Sequence, residues 1–185
     1  MSWEACAWLS AIVPSADLGA VARGPMAGVV SLSRDEQATP GLDAGRFITA
    51  RTIVGRQGYY ITRGRMFAPA GSDYSYITNA RVIDIASSVS RDGAMQFLNA
   101  KIATKNDGTI SDTAARGIES YIKGKLDDAL TRKGDAVATA VMVDRTVNII
   151  STGMLKVRVR IQPFGYASTI TIDLGFTSPS IANAS

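Results

Sequence analysis

The 185-residue chain contains no histidine and only one cysteine, Cys6. Without histidine, the Ser-His-Asp and Cys-His pairs that activate nucleophiles are excluded, as are histidine metal sites. A single cysteine excludes an internal disulfide and a cysteine-rich zinc site. Carboxylates and lysines remain as acid–base groups, but their spacing indicates no facing catalytic pair, and no glycine-rich loop carries the Gly-Lys-Ser/Thr of a phosphate site. We therefore predict a protein that is not an enzyme and has no cofactor or metal.

Long apolar runs are lacking as well. No segment reaches the roughly 18 uninterrupted apolar residues of a membrane span. The N-terminal stretch contains Glu4 and has no basic region, unlike a signal peptide. Apolar residues make up 46% and charged residues 19%, with a net charge of +4. These values predict a soluble intracellular globular protein without a membrane partner, and the small positive excess does not single out nucleic acid.

What is present is a strict alternation of apolar and polar residues in the last third of the chain. Two runs, 154–162 and 169–176, predict β-strands with one apolar face each. The apolar residues are Leu155, Val157, Val159 and Ile161 in the first run and Ile170, Ile172, Leu174 and Phe176 in the second. The second run lies near the C-terminus, where a strand is free to pair with another chain. Between the apolar residues of the first run, Lys156, Arg158 and Arg160 either protect a strand edge or meet acidic groups of an adjacent subunit.

Helical periodicity marks two long segments between residues 72 and 133. We predict that the first begins at Ser72 or Asp73 and that the second is capped by Ser111 and ends at Gly134. The first apolar stripe is Val82, Ala86, Val89, Gly93 and Phe97, extended by Leu98 and Ile102, and the second is Ala115, Ile118, Ile122, Leu126 and Ala129. Each stripe repeats every three or four residues, so each helix buries one face.

Strand signals surround the two helices. Residues 46–68 predict a three-stranded meander with turns at 55–58 and 63–64, and residues 137–143, carried on through 147–150, predict one or two further strands. A helix from Ser2 to about Val13 and an irregular connection with a short strand at 28–32 precede them. The order predicts an α+β fold, with a mostly antiparallel sheet packed against two long helices and a C-terminal strand arm. We divide the chain into a helix and connecting segment (1–45), a core domain (46–166) and an arm with a flexible tail (167–185).

The meander gives the alternative function. Its arginines are interleaved with aromatic residues, a combination that binds single-stranded nucleic acid by charge and stacking. The residues are Arg46, Arg51, Arg56, Arg63 and Arg65, with Tyr59, Tyr60 and Phe67. A solvated sheet face with buried tyrosines has the same sequence pattern, and we favour that interpretation.

Several segments together resemble the C-terminal region of contractile phage tail sheath proteins, a family shared with other contractile injection systems. They are residues 58–66 (GYYITRGRM), 71–77 (GSDYSYI), 80–84 (ARVID), 155–167 (LKVRVRIQPFGYA) and 170–176 (ITIDLGF). The resemblance covers about residues 46–176. Sheath subunits are normally longer and carry an N-terminal strand before this region, so we expect a short sheath-like protein or a segment of a longer one.

The resemblance implies a structural subunit that polymerises around a tail tube and shortens while its neighbours stay connected by strand exchange. It implies a homo-oligomer of rings or helical strands, contacts with the tube protein, the baseplate and the tail terminator, and a place in the virion tail after assembly in the host bacterial cytoplasm. By position, 169–176 is the exchanged arm and 155–162 its resident partner strand. Lys123, Lys125, Arg132 and Lys133 are candidates for facing an acidic tube, although a solvated helix face fits them as well.

Overall fold

The computed structural model describes residues 2–69 and 71–175 and shows an α+β fold, as predicted. The helices are α1 (Ser2–Ala11), α2 (Ile77–Met95), α3 (Asp112–Leu126) and α4 (Ile149–Thr152), and the strands are β1 (Ala50–Ile53), β2 (Arg56–Ile61), β3 (Ala138–Val143) and β4 (Val157–Gln162). A π-helical turn, Asp127–Thr131, continues α3. The strands form two separate antiparallel pairs, β1–β2 and β3–β4. Within the described ranges, no helix combines the length and the apolarity that crossing a membrane requires.

The main core lies between the two long helices and the β3–β4 pair. Its fully buried members are Val82, Ala86, Ile110, Ala115, Ile118, Ile122, Leu126, Leu130, Ala136 and Val143. The predicted stripe of α3 is therefore confirmed, and Ser111 caps the helix by accepting a hydrogen bond from the Ala114 amide at 3.3 Å. The extension of the first stripe to Leu98 was wrong. Because α2 ends at Met95, Leu98 leaves the helical register and is 73% exposed.

A second, smaller core stabilises residues 2–62. We call this part of the chain the N-terminal unit. Its buried members are Ile12, Leu18, Met26, Ala50 and Ile61. The unit is joined to the main core through the start of α2, because Ile77 packs on this second cluster and the Arg81 guanidinium donates to the Ile12 carbonyl at 3.0 Å. The two cores thus share one helix.

The predicted three-stranded meander is a two-stranded hairpin. A two-residue turn at Val54–Gly55 joins the strands and is shorter than the predicted turn at 55–58. Gly55 adopts a positive φ of 77°, which glycine reaches without steric cost. Beyond β2, the Met66 amide donates to the Ser75 carbonyl at 3.0 Å. The segment 65–68 therefore turns towards residues 75–76 instead of adding a third strand.

Three other local predictions were wrong for similar reasons. α2 begins at Ile77, because Ser72 closes a turn in which its carbonyl accepts from the Ser75 amide at 3.1 Å. Residues 149–152 form a helix instead of a strand, because the Asn148 side chain accepts from the Ser151 amide at 2.9 Å and caps it. Residues 28–32 contain no strand. At Ser72 and Asn148, a turn or a short polar side chain satisfies the backbone locally.

Candidate assembly interface

β4 pairs with β3 of the same chain along one of its two edges, over its whole length. It pairs antiparallel with β3 in the register that places Val141 opposite Val159 and Val143 opposite Val157. The Asp144 amide donates to the Lys156 carbonyl at 2.9 Å, so the even-numbered residues of both strands exchange the ladder hydrogen bonds. The prediction that residues 155–162 form a strand within their own domain is confirmed for Val157–Gln162.

The outer edge of β4 is open. In this register the backbone N–H and C=O groups of Val157, Val159 and Ile161 point away from β3. Within residues 2–69 and 71–175 these groups have no backbone partner. The Arg160 guanidinium donates to the Val159 carbonyl at 3.4 Å. A strand edge with free donors and acceptors is a template for an added strand.

The outer edge of β3 is partly covered by α3. The Glu119 carboxylate accepts from the Val143 amide at 2.8 Å and pairs with Arg145 at 3.0 Å. Further along, the Thr139 hydroxyl donates to the Asp127 carboxylate at 2.5 Å. Hydrogen bonds from Lys123, Thr139 and Thr131 lower the pKa of Asp127, so it stays an acceptor in mildly acidic solution. The two edges of this sheet therefore differ, and β4 presents the available one.

A groove runs along the outer edge of β4, between the strand and α2. It consists of a cavity of about 430 Å³ and a smaller one of about 120 Å³ towards Pro163. The apolar lining comes from Val157, Val159 and Ile161 of β4 and from Val82, Ile83 and Ala86 of α2. The polar residues that also line the groove are Arg160, Asn79, Ser87, Ser90, Asp73 and Tyr74. The Ser90 hydroxyl is buried and has no partner among the described residues. The groove offers an apolar wall beside unpaired backbone, which suits a strand with one apolar face.

The sequence pattern predicts the β4 side of this groove but not its helical side. Val82 and Ala86 belong to the predicted core stripe of α2, whereas Ile83, Ser87 and Ser90 lie beside it. Ile83 was the available signal, because an isoleucine next to the core stripe widens the apolar face of α2.

The second alternating run does not form a strand in the described residues. Residues 169–175 have no regular secondary structure, and Phe176 lies outside the described residues. Ile170, Ile172 and Leu174 are 77%, 72% and 88% exposed. The strand predicted for 169–176 is thus not formed within the single chain. Three large apolar side chains at strand spacing remain in water, which is unfavourable unless a partner covers them.

The basic residues of β4 face solvent. Lys156, Arg158 and Arg160 are exposed and form no ion pair within the described part of the chain. Hydrogen bonds from Thr146 chiefly lower the pKa of Asp144, and the charges of Lys156 and Arg158 add to this effect. Both interpretations of these cations, edge protection and contact with an acidic neighbour, stay predictions.

The four candidates for facing a tube lie on and after α3, and three of them are paired internally. Lys123 contacts Asp127, Arg132 contacts Asp128, and the Lys125 ammonium lies 3.0 Å from the Asp92 carboxylate. The Asp92 contact raises the pKa of Lys125. Lys133 is exposed without an ion pair in the described residues. These pairs partly neutralise the surface, and the tube-facing role stays a prediction.

The arginines of the predicted meander are distributed over several contacts. The Arg65 guanidinium lies 3.0 Å from the Asp43 carboxylate, and Arg63 and Arg65 both lie over the ring of Tyr76. Tyr60 is buried. No described feature favours the nucleic-acid alternative over a packed hairpin. Among the described residues, no cluster of three acidic or thiol side chains is placed to hold a metal ion.

Comparison with known proteins adds a family. The family described as DUF2586, C-terminal domain, matches residues 73–180, which is more than half of the chain. The chain belongs to this family. The match to the DUF2586 C-terminal domain takes in α2, α3, the β3–β4 pair and the segment after it, and so contains the whole groove. No curated protein matches the chain.

A solved structure shares the fold. A chain in the cryo-EM structure of the anti-feeding prophage (AFP) baseplate, 6-fold symmetrised, superposes with a TM-score of 0.59 at 17% sequence identity. The alignment covers 83% of this chain and 43% of that chain. This chain therefore spans less than half the length of the baseplate chain. At this identity the likeness establishes a common fold.

Proposed function

We propose that the protein is a structural subunit of a contractile tail sheath, in which neighbouring subunits are linked when the C-terminal arm of one pairs with the β4 edge of another. The arm is residues 169–176. The observation that carries the proposal is the coexistence of an unpaired strand edge beside an apolar groove with an exposed apolar segment of strand periodicity. The proposed role is mechanical and involves no catalysis.

The arm and the groove are chemically matched. On an added strand Ile170, Ile172 and Leu174 share one face, which places them against the apolar groove. The opposite face carries Asp173, on the same side of the sheet as Lys156, Arg158 and Arg160. Main-chain hydrogen bonds supply affinity and the alternating apolar contacts supply register.

The expected strength of one link between an arm and a groove is modest. Fully burying each of the three side chains contributes about 1.5–3 kcal/mol. The entropy lost on ordering the arm offsets much of this gain. A single link is therefore weak, whereas many links in a ring or helix reinforce each other through effective concentration.

Two findings support the contractile setting. The fold is shared with a chain of the AFP baseplate, which is part of a phage-like particle, and the sequence resembles the C-terminal region of tail sheaths. In this proposal the sheath surrounds a tail tube and meets the baseplate and the tail terminator at its ends. It belongs to a virion tail or a related injection particle assembled in the bacterial cytoplasm. During contraction, the subunits rotate while the arms keep them connected.

The test is assembly of the full chain compared with two truncations. Negative-stain microscopy and sedimentation would be performed on concentrated protein, alone and with the tube protein of the same gene cluster. We expect rings, tubes or linked oligomers from the full chain. Loss of residues 169–185 should give monomers with unchanged helical circular dichroism, whereas loss of residues 177–185 should leave assembly intact. Monomers under all conditions, or equal assembly by both truncations, would contradict the proposal.

A further inference from the structure

The chain leaves β4 in the direction of the N-terminal unit. Four residues after the end of the strand, Tyr166 donates its hydroxyl hydrogen to the Ser15 carbonyl. The exposed fraction of Tyr166 is 39%, compared with 41% for Phe164 and 77% for Ile170 in the same segment. Burial raises the pKa of Tyr166, so the phenol keeps its proton and remains a donor through neutral and mildly alkaline pH.

Ser15 is itself firmly held. Its amide donates to the Asp135 carboxylate at 3.1 Å, and its hydroxyl donates to the Gly134 carbonyl at 3.2 Å. Asp135 is 4% exposed. The acceptor of the Tyr166 hydrogen bond is therefore fixed to both the N-terminal unit and the end of the α3 region, and Tyr166 is bound to a rigid point.

Beyond Tyr166 the chain continues over the N-terminal unit. Residues 165–170 line a cavity of about 720 Å³ together with Asp17, Asp43, Arg51 and Arg63. This cavity and the β4–α2 groove have no lining residue in common. The root of the arm therefore lies beside the N-terminal unit and does not line the β4–α2 groove of its own chain.

Without such a restraint the arm would have a nearer target than a neighbour. Only residues 163–168 separate β4 from the arm, close to the length of ordinary hairpin loops. A short flexible connection presents its segment at an effective concentration in the millimolar range. Self-pairing would then outcompete a second copy at micromolar concentration and close every edge without linking any subunits.

We propose that the Tyr166–Ser15 contact is a latch that holds the arm root on the N-terminal unit, so that the arm is denied its own β4 edge and pairs with a second copy. This inference rests on the proposed function, because it assumes that the arm pairs with a β4 edge. Tyr166 lies in the middle of residues 163–168. This connection would have to turn back for the arm to pair with β4 of the same chain.

Cysteine cross-linking distinguishes pairing within a chain from pairing between chains. In a full-length background with Cys6→Ser, Val159→Cys is combined in turn with Ile170→Cys, Ile172→Cys and Leu174→Cys, which covers the possible registers. After mild oxidation, non-reducing gels and peptide mass spectrometry give the ratio of intrachain to interchain disulfides. We expect interchain disulfides to dominate.

Tyr166→Phe removes the hydroxyl and Tyr166→Ala removes the ring. Loss of one such hydrogen bond should raise the intrachain to interchain ratio roughly fivefold, and loss of the ring should raise it further. The matched control is Tyr59→Phe, because Tyr59 also donates to a backbone carbonyl, that of Val30 at 3.3 Å, but lies away from the arm. This control should leave the ratio unchanged.

Three results would overturn the latch, and they differ in what they say about the proposed function. An unchanged ratio in both Tyr166 variants removes the latch and leaves linkage of neighbours by the arm standing. Predominantly intrachain disulfides with Tyr166 intact remove the latch and also contradict the linkage of neighbours, because the arm then occupies the β4 edge of its own chain. The absence of both kinds of disulfide in every register removes arm pairing and the latch with it.

Discussion

The two hairpins of this protein treat their edges in opposite ways. In β1–β2 both outer edges are covered by the irregular N-terminal segment: the Met26 amide donates to the Tyr59 carbonyl at 2.7 Å, and the Glu36 amide donates to the Ala50 carbonyl at 3.0 Å. In β3–β4, α3 partly covers one edge, and the edge of β4 has no backbone partner in the described residues. The chain covers the edges of β1 and β2 and part of the edge of β3. The uncovered edge is therefore a specific feature of β4.

Irregular chain is what makes the first hairpin self-sufficient. Asp35 accepts hydrogen bonds from the Thr52 amide at 3.0 Å and the Thr52 hydroxyl at 2.5 Å, which closes the outer side of β1. Among the described residues, no comparable loop covers the side of β4, where a groove lies instead. An isolated hairpin is marginal in water, so each pair needs cover, and the second obtains it from helices on one face.

The largest expected effect comes from blocking the open edge itself. Val159→Pro removes an N–H that points away from β3, so the ladder to β3 stays complete while an incoming strand loses a donor and meets the ring. We expect assembly in the microscopy and sedimentation experiment to be abolished, with a stability loss of only about 1–2 kcal/mol from changed packing.

The matched control is Arg158→Pro, one residue earlier. The N–H of Arg158 points towards β3 in the observed register, so proline there breaks the resident hairpin and should cost about 3 kcal/mol or more. If Val159→Pro assembled like the unmodified chain, the open edge would have no role in assembly.

A smaller effect of the opposite kind is expected at the covered edge of β3. Glu119→Ala leaves the Val143 amide without its acceptor and removes one of the acceptors of Arg145, which keeps its contacts with Asp112 and the Val143 carbonyl. The Glu119 side chain is 18% exposed in this site. We expect the free energy of unfolding to fall by about 1–2 kcal/mol, measured by urea denaturation, with assembly retained.

Asp92→Ala is the control for this change, because Asp92 forms an exposed pair with Lys125 at 3.0 Å. Such pairs contribute little, so its effect should stay below about 0.5 kcal/mol. Loss of assembly in Glu119→Ala without loss of stability would mean that β3, not β4, is the assembly edge.

The contrast between the hairpins also shows how much could be predicted from the sequence. The periodicities of α3 and β4 were sufficient, because an apolar face every 3.6 or 2 residues is decided by burial against a core. The groove was only half predictable. Ile83, Ser87 and Ser90 become wall residues because, within residues 2–69 and 71–175, no strand pairs with that side of β4, and this depends on tertiary topology.

Local hydrogen bonding explains the errors. Asn148 and Ser72 each satisfy nearby backbone groups, which turned an expected strand into α4 and delayed the start of α2. The covering of β1 by Asp35 was invisible for a related reason, since Asp35 and Thr52 are far apart in sequence and no periodicity joins them. The openness of the β4 edge follows from which loops reach which strand, which residue patterns alone do not specify.

The smallest expected effect tests the loop that covers β1. Hydrogen bonds from the Thr52 hydroxyl, and from the Gln37 and Thr52 amides, lower the pKa of Asp35 against a smaller opposing effect of burial. Because the folded pKa lies below the unfolded value of about 3.9, the contribution to stability is complete above that value and is lost as pH falls through the folded pKa. We therefore expect the protection of the Thr52 amide, normalised for intrinsic exchange, to be constant from pH 7 to 5 and to decline towards pH 3.

Asp35→Asn should produce a several-fold loss of Thr52 protection at neutral pH, because the amide keeps one acceptor oxygen and loses the charge. Asp107→Asn is the matched control. Asp107 accepts from the Thr109 amide at 2.9 Å and its hydroxyl at 2.7 Å in the same manner, but within its own turn. It should leave every β1 amide unchanged. Equal Thr52 protection at pH 5 and pH 3 would show that the edge of β1 does not depend on this carboxylate, and the contrast between a covered and an open hairpin would then rest on the Met26 and Glu36 amides alone.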